Sequence, residues 1–302
     1  MLNKNNPTVD QHYVPQVYLR GFSPDYKGNK DKEKYVIHCF DLTNNRQFDN
    51  AIPIKSICFK EKLYEVTGED GEIVLLNYLE DFFKILEGEF GKYRSKLEHK
   101  IYIKENYKTR SFLDSNEKYF WLTYIMTQIL RIPQVLDIAE QTGKEIFKDD
   151  LNDKQAKNLS RLVCLPFFEE MREDSDQVKL FNLLYKPMQN MSFTVGVDYE
   201  SKIVTSDMPV FISSKTFPCE EYKKIIFPIT SSICLIMLGE GEKDNYFKNT
   251  LFPIDDKIRT EIFNSITSSA FRFIYSNRKL DTQELTYINN SINEKRNRND
   301  KR

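Results

Sequence analysis

The chain has 302 residues, with 44 Lys plus Arg against 45 Asp plus Glu and a formal net charge of −1, which leaves no global field to steer it onto nucleic acid and makes any such contact local. Apolar residues form 40% of the sequence and aromatics 13%, with 22 Phe and 17 Tyr, enough to build a large core and to exclude global disorder. Five widely spaced cysteines without a C-x-x-C pair exclude a disulfide framework and the usual zinc spacing, and read as buried thiols of a reducing compartment.

The stretch MLNKNNPTVD lacks the apolar core of a signal peptide, and no apolar run approaches the roughly 18–20 residues of a membrane helix. The expectation is a soluble, cytoplasmic protein with no membrane partner. Next comes QHYVPQVYLRGF, Gln11 to Phe22, which packs a rare histidine, two tyrosines and an arginine into one turn-rich segment. Ser23 to Lys34 has turn chemistry and no apolar period. Lys34 to Leu42, Ile52 to Phe59 and Lys62 to Val66 carry strand formers and predict a small antiparallel meander that closes at Gly68 to Gly71.

From Val74 to about Lys100 the period becomes helical: Leu76, Phe83, Phe90 and Leu97 recur along one stripe, filled in by Leu79, Leu86 and Tyr93. Asp114-x-x-Glu117 has the form of a capping box and predicts a helix through Trp121, Tyr124, Ile125 and Ile129 to Arg131, stopped or kinked by Pro133. Helical patterns follow over Val135 to Lys148, Asn152 to Arg172 with a kink at Pro166, and Asp176 to Tyr185. Beyond Met191, Ser192 to Tyr199 and Lys202 to Thr205 predict a hairpin around Glu200-Ser201. Lys224 to Pro228 and Ser232 to Leu238 predict two more strands, Asp255 to Tyr275 a helix, and Thr282 to Glu294 a last helix. The order gives an α+β fold: an N-terminal antiparallel strand meander, a central helical bundle and a C-terminal antiparallel sheet with closing helices. A single domain over residues 1–302 is expected, with lobes at 1–72, 73–190 and 191–302.

Four constellations can carry chemistry. In the opening motif, His12 offers a base, nucleophile or metal ligand and Arg20 a planar donor for phosphate or carboxylate, with Tyr13 and Tyr18 beside them; the competing reading is that the motif only packs the chain end down. Glu80 and Glu87 lie seven apart on one edge of the long helix, where carboxylates bind a divalent metal, act as acid and base, or simply form a solvated acidic face. Gln128-x-x-Arg131 sets an amide beside a guanidinium, suited to gripping a phosphate or carboxylate, or reads as a helix-terminal arginine favoured by the dipole. Asp207, between an apolar strand and Pro209, is fixed at a strand end, a common place for a catalytic group and also ordinary turn chemistry. A Gly-rich phosphate loop, a G-x-S-x-G elbow and an H-E-x-x-H motif are all missing from the sequence.

Taken in order, QHYVPQVYLRGF, Leu63-Tyr64, Leu79-Glu80 with Glu87, Gln128-x-x-Arg131, Ser206-Asp207-x-Pro209, Phe227-Pro228-Ile229 and the segment Asn264 to Tyr275 resemble a bacterial family, the domain of unknown function 4238, with its HYVPxxYLRxF signature. The resemblance covers nearly the whole chain and makes Asn264 to Tyr275 the family's closing helix. It implies a role in anti-phage defence, as some members are implicated there, and a shared site at His12, Tyr13, Arg20, Glu80, Gln128, Arg131 and Asp207. On that basis the expected function is a defence effector that hydrolyses phosphodiester bonds of nucleic acid or a nucleotide, a nuclease-type enzyme with His12, Glu80 and Asp207 catalytic and Tyr13, Arg20, Gln128 and Arg131 binding substrate. A divalent metal such as Mg or Mn is compatible with that chemistry. The alternative is a non-catalytic sensor that recognises a phage product or a nucleotide.

Overall fold

The computed structural model describes residues 8–26, 31, 34–103, 112–147, 150–162, 186–213, 222–239 and 250–299. The fold is α+β. Its strands are β1 (Asp10–His12), β2 (Val36–Asp41), β3 (Arg46–Gln47), β4 (Ile52–Pro53), β5 (Phe59–Glu61), β6 (Val66–Thr67), β7 (Ile73–Leu75), β8 (Ser192–Val197), β9 (Thr205–Ser206), β10 (Phe211–Ser213), β11 (Lys224–Thr230), β12 (Ile233–Leu238), β13 (Leu251–Pro253) and β14 (Phe273–Ser276). The helices are the short α1 (Gln16–Leu19), then α2 (Tyr78–Ile103), α3 (Ser115–Leu130), α4 (Pro133–Ile146), α5 (Asp153–Leu162), α6 (Asp256–Ser269) and α7 (Thr282–Asn299).

A five-stranded sheet in the order β10-β11-β12-β8-β13 forms the heart of the molecule. Every residue of β12 is buried, as is β11 beyond Lys224, which is why these strands read as unbroken apolar runs: both of their faces are covered. The opening motif covers part of one face. Tyr18 stacks on Phe227 with ring centroids 5.3 Å apart, and Gly21 lies so close to β11 that a Cβ there would sit 2.9 Å from the carbonyl of Ile229. The Gly21 carbonyl also accepts from the Ser231 N–H at 3.0 Å. Glycine is required because the two backbones touch.

Several sequence expectations are corrected by the tertiary pairing. The N-terminal strands do not form a self-contained meander, because β14, from the far end of the chain, pairs antiparallel with β2 and brings β9 onto the same sheet. Within the segments expected as strands, Ile54–Ser56 is a 3-10 turn, and Cys58 and Lys62 take left-handed backbone angles, φ 56 and 48, so only β4, β5 and β6 remain. Val74 belongs to β7 rather than to the helix, which starts at Tyr78.

The expected hairpin around Glu200-Ser201 is absent. Asp198 instead accepts from the N–H groups of Glu200 and Lys202, and this wrapped turn sends the chain to β9 on the other sheet. The expected helix from Asp255 to Tyr275 ends at Ser269, where Ala270 becomes extended (ψ 135), and β14 follows. Aromatic and β-branched residues in FIYS fit a pleated surface, and short apolar runs do not by themselves distinguish strand from helix. Asp176 to Tyr185, Pro166 with the end of Asn152 to Arg172, and Cys164 and Cys219 lie outside the described residues.

The predicted capping box at the start of α3 is present: the Asp114 carboxylate accepts from the Glu117 N–H, and Glu117 accepts from the Asp114 N–H, both at 2.8 Å. Pro133 is not a kink but the first residue of α4, where its missing N–H costs nothing. Among the described residues no helix is long and apolar enough to cross a membrane.

Candidate functional site

The site is assembled where β1 and α1 lie against the facing sides of α2 and α3. On α3, Tyr124, Gln128 and Arg131 follow one another at one-turn spacing on one face. Apolar packing holds that face against α2: Phe90 stacks on Tyr124 at 4.4 Å and meets Trp121 edge-on. The polar groups are thereby drawn under a layer of aromatic rings.

Arg131 is the hub. It is 1% exposed, its guanidinium lies over the Phe83 ring at 4.1 Å, Nη1 donates to Glu87 Oε1 at 3.1 Å, and Nη2 donates to the backbone carbonyl of His12. The Tyr64 hydroxyl in turn donates to the Arg131 carbonyl at 2.7 Å. Burial alone would lower the Arg131 pKa, but Tyr64 and Glu87 outweigh it and hold the guanidinium firmly charged.

His12 follows Gln11, whose amide is clamped between Glu65 Oε1 (2.8 Å) and the Tyr64 N–H (2.6 Å). Its imidazole is bonded to the backbone of Lys55, lies 3.3 Å from Gln16 Nε2 and packs beside Phe59. Burial lowers its pKa, and the Arg131 charge pushes the same way, so the ring is neutral at pH 7. Tyr13 is fixed through its N–H to the Cys58 carbonyl at 2.8 Å. Burial pushes its phenol well above the usual range, with Cys58 and Asp207 adding to the effect.

Glu80 is 9% exposed and lies close enough to Arg131, Glu87, Lys84 and Glu65 to feel their charges. Burial pushes its pKa up to about 7; Glu87 and Glu65 push in the same direction, against Arg131 and Lys84. Gln128 is fully buried, and neither atom of its amide has a partner among the described residues. Arg20 is part-buried over the Tyr35 ring at 5.8 Å, its Nε without a partner among the described residues. Burial and the neighbouring Arg94 charge lower its pKa, while Tyr35 and Glu87 oppose them.

Asp207 is engaged differently. Its carboxylate accepts from the N–H groups of Phe271 (2.9 Å), Arg272 (2.9 Å) and Phe273 (3.2 Å), at the entry to β14. Burial nonetheless pushes its pKa up to about 6 against those three donors. The structure therefore joins His12, Arg131 and Glu87 by hydrogen bonds, with Glu80 within reach of the Arg131 and Glu87 charges and Gln128 one turn along α3, whereas the Asp207 charge is felt by Tyr13 and Cys58.

Sequence reasoning passed over Gln11, Glu65, Cys58, Tyr124 and Arg94. Two of these carried a signal: Tyr124 is one turn before Gln128, and Arg94 follows Glu87 by seven positions on α2, where its Nη1 donates to the Val17 carbonyl at 2.8 Å. The described residues contain no group of three or more His, Cys, Asp or Glu side chains that could hold a metal ion.

An α+β protein whose N-terminal signature motif closes over a buried, arginine-centred polar cluster is the class that fold and site define. The chain belongs to the family described as protein of unknown function DUF4238, whose model matches residues 10–280. No curated protein and no solved structure matches it.

Proposed function

We propose that the chain is a hydrolase of phosphodiester bonds, a nuclease-type effector acting on nucleic acid or a nucleotide at the cluster around Arg131. Glu80 carries this reading: a buried carboxyl whose pKa burial pushes up to about 7, beside the buried charge of Arg131. Groups that titrate near the working pH are the efficient general acids and bases.

In this scheme neutral His12 takes the proton of an attacking water, and protonated Glu80 returns one to the leaving oxygen. Arg131 neutralises the charge that develops on the phosphoryl oxygens, and Arg20 binds the substrate beside it. Tyr13 and Gln128 orient the group between them. Asp207, bound to three backbone N–H groups, acts as a positioning residue that holds β14 against Tyr13. No step is routed through Mg or Mn, because the described side chains do not offer a ligand set for one. A role in anti-phage defence accompanies the proposal on the strength of the family resemblance.

The second reading, a non-catalytic sensor of a nucleotide or phage product, draws support from the buried, unpartnered amide of Gln128, which a bound ligand would satisfy without any chemistry. Incubating wild type, Glu80→Gln and His12→Asn with RNA, DNA and nucleotides, with and without Mg²⁺ or Mn²⁺, separates the two. A bell-shaped pH profile with its maximum on the acid side of 7, and a loss of about 100-fold or more in each variant, is expected. Absence of turnover by the wild type under every condition overturns the hydrolase and leaves the sensor.

A further inference from the structure

Around Glu87 the described structure collects more hydrogen-bond donors than it can satisfy. Arg20 Nε, Arg94 Nε, Tyr124 Oη, Gln128 Nε2 and Arg131 Nε are all buried, and none has a partner among the described residues. Four of them belong together electrostatically: Glu87 acts on Arg20, Tyr124 and Arg131, and Arg94 acts on Arg20 and Tyr124; Gln128 lies between Tyr124 and Arg131 along α3. Three guanidiniums against the Glu87 carboxylate leave a local charge of 3 − 1 = +2 while Glu80, beside Arg131, holds its proton. The Gln128 amide adds an unpartnered acceptor, Oε1.

Buried donors without acceptors are costly, and buried guanidiniums more so, unless a ligand supplies oxygens and negative charge. A tetrahedral oxyanion does both, and arginine forks match its geometry. The charge decides which phosphate. An internal phosphodiester carries one negative charge and two free oxygens; a terminal phosphate carries about −1.5 to −2 near pH 7 and three.

We infer that this cluster binds the terminal phosphate, a phosphomonoester, of a nucleotide or of a nucleic-acid end rather than an internal phosphodiester. The inference rests on the phosphodiester-hydrolase reading and narrows it. Arg131 is common to the donor cluster and to the Glu80 side, so the bond cleaved is the one nearest the bound end. Glu87 holds Arg131 in place between the two halves, and Gln128 and Tyr124, which carry no charge, discriminate by hydrogen bonding.

The test combines binding with cleavage. Calorimetric titration of the full chain with sulfate, phenyl phosphate and dimethyl phosphate is expected to show saturable binding of the first two, with dimethyl phosphate at least tenfold weaker. Gln128→Leu removes both unpartnered amide atoms, so it should keep or raise the melting temperature while weakening sulfate binding at least tenfold. Arg20→Gln should also lose at least tenfold, and Arg20→Lys, which keeps charge but not the fork, should lose less. A merely structural Gln128 would lower melting on substitution and leave sulfate affinity unchanged, and that result overturns the inference, as does equal binding of dimethyl phosphate or no saturable sulfate binding. Oligonucleotides with phosphate or hydroxyl ends separate the two proposals. Cleavage indifferent to the terminal phosphate sinks the inference and spares the hydrolase, whereas sulfate binding with the expected variant losses and no cleavage supports the anion site and sinks the hydrolase.

Discussion

The guanidinium of Arg131, at the end of α3, donates to the backbone carbonyl of His12, 119 positions earlier in the chain. One buried side chain thus ties the signature motif to the helical layer, and the same guanidinium ion-pairs with Glu87 on α2. Removing it would leave a carbonyl and a carboxylate without their donor. Arg131→Met is expected to lower stability by about 3 kcal/mol, the usual cost of breaking a buried pair from one side. Arg131→Lys, a point charge that cannot serve both acceptors in the same fork, should recover only part of that. Urea denaturation measures both; a loss under about 1 kcal/mol for Arg131→Met would show that the link is not structural.

Glu80 makes stability depend on pH in a definite direction. Its folded pKa of about 7 lies above the unfolded value of 4.5, so the folded state holds the proton more tightly. The favourable contribution is complete below pH 4.5 and disappears as pH rises through 7, an effect on the order of 3 kcal/mol. Glu80→Gln should flatten this segment of the stability curve and leave the variant more stable than wild type at pH 8. Parallel curves for the two proteins between pH 4.5 and 8 would refute the assignment.

Gly21 tests how the motif is seated on the sheet. A methyl group there meets the Ile229 carbonyl at 2.9 Å and Thr230 Cγ2 at 3.1 Å, and backbone in a fully buried strand cannot retreat cheaply. Gly21→Ala should cost about 2 kcal/mol through overpacking. Thermal melting gives the answer, with an unchanged midpoint counting against the close approach.

Asp207→Ala would strip the acceptor from three backbone N–H groups at residues 271–273. The expected loss is roughly 3 kcal/mol, with faster amide exchange confined first to β14 and its partner β9. Asp207→Asn keeps one acceptor oxygen and should fall between Ala and wild type. If Asp207→Ala abolished hydrolysis while amide exchange in β14 stayed at the wild-type rate, Asp207 would be acting on substrate and not as a positioning residue.

The elements that could be read from the sequence were those fixed by local chemistry. The seven-residue stripe of α2, the Asp114-x-x-Glu117 cap of α3, and the apolar runs of β11 and β12 each reflect a neighbour-to-neighbour rule, and together they give the α+β class. The opening motif left two readings, a reactive site or aromatic packing of that segment, and its Tyr18, Leu19 and Phe22 are buried. Failures began where partners are distant in sequence. Phe273 to Ser276 is a strand because β2 and β9 offer it open edges, and nothing within that short apolar run distinguishes this from the last turn of a helix.

The candidate site divides in the same way. Residue type and spacing marked His12, Glu80, Gln128, Arg131 and Asp207, since rare ionisable and amide groups beside apolar stripes are visible in one dimension. Only the tertiary structure decided what each is doing. Desolvation, which sequence does not encode locally, raises Glu80 toward neutrality; a contact across 119 positions makes Arg131 the hub; and three N–H groups from the chain's far end engage Asp207. Burial and long-range pairing depend on which surfaces meet, and these set the charge state and the partners of every group in the cluster.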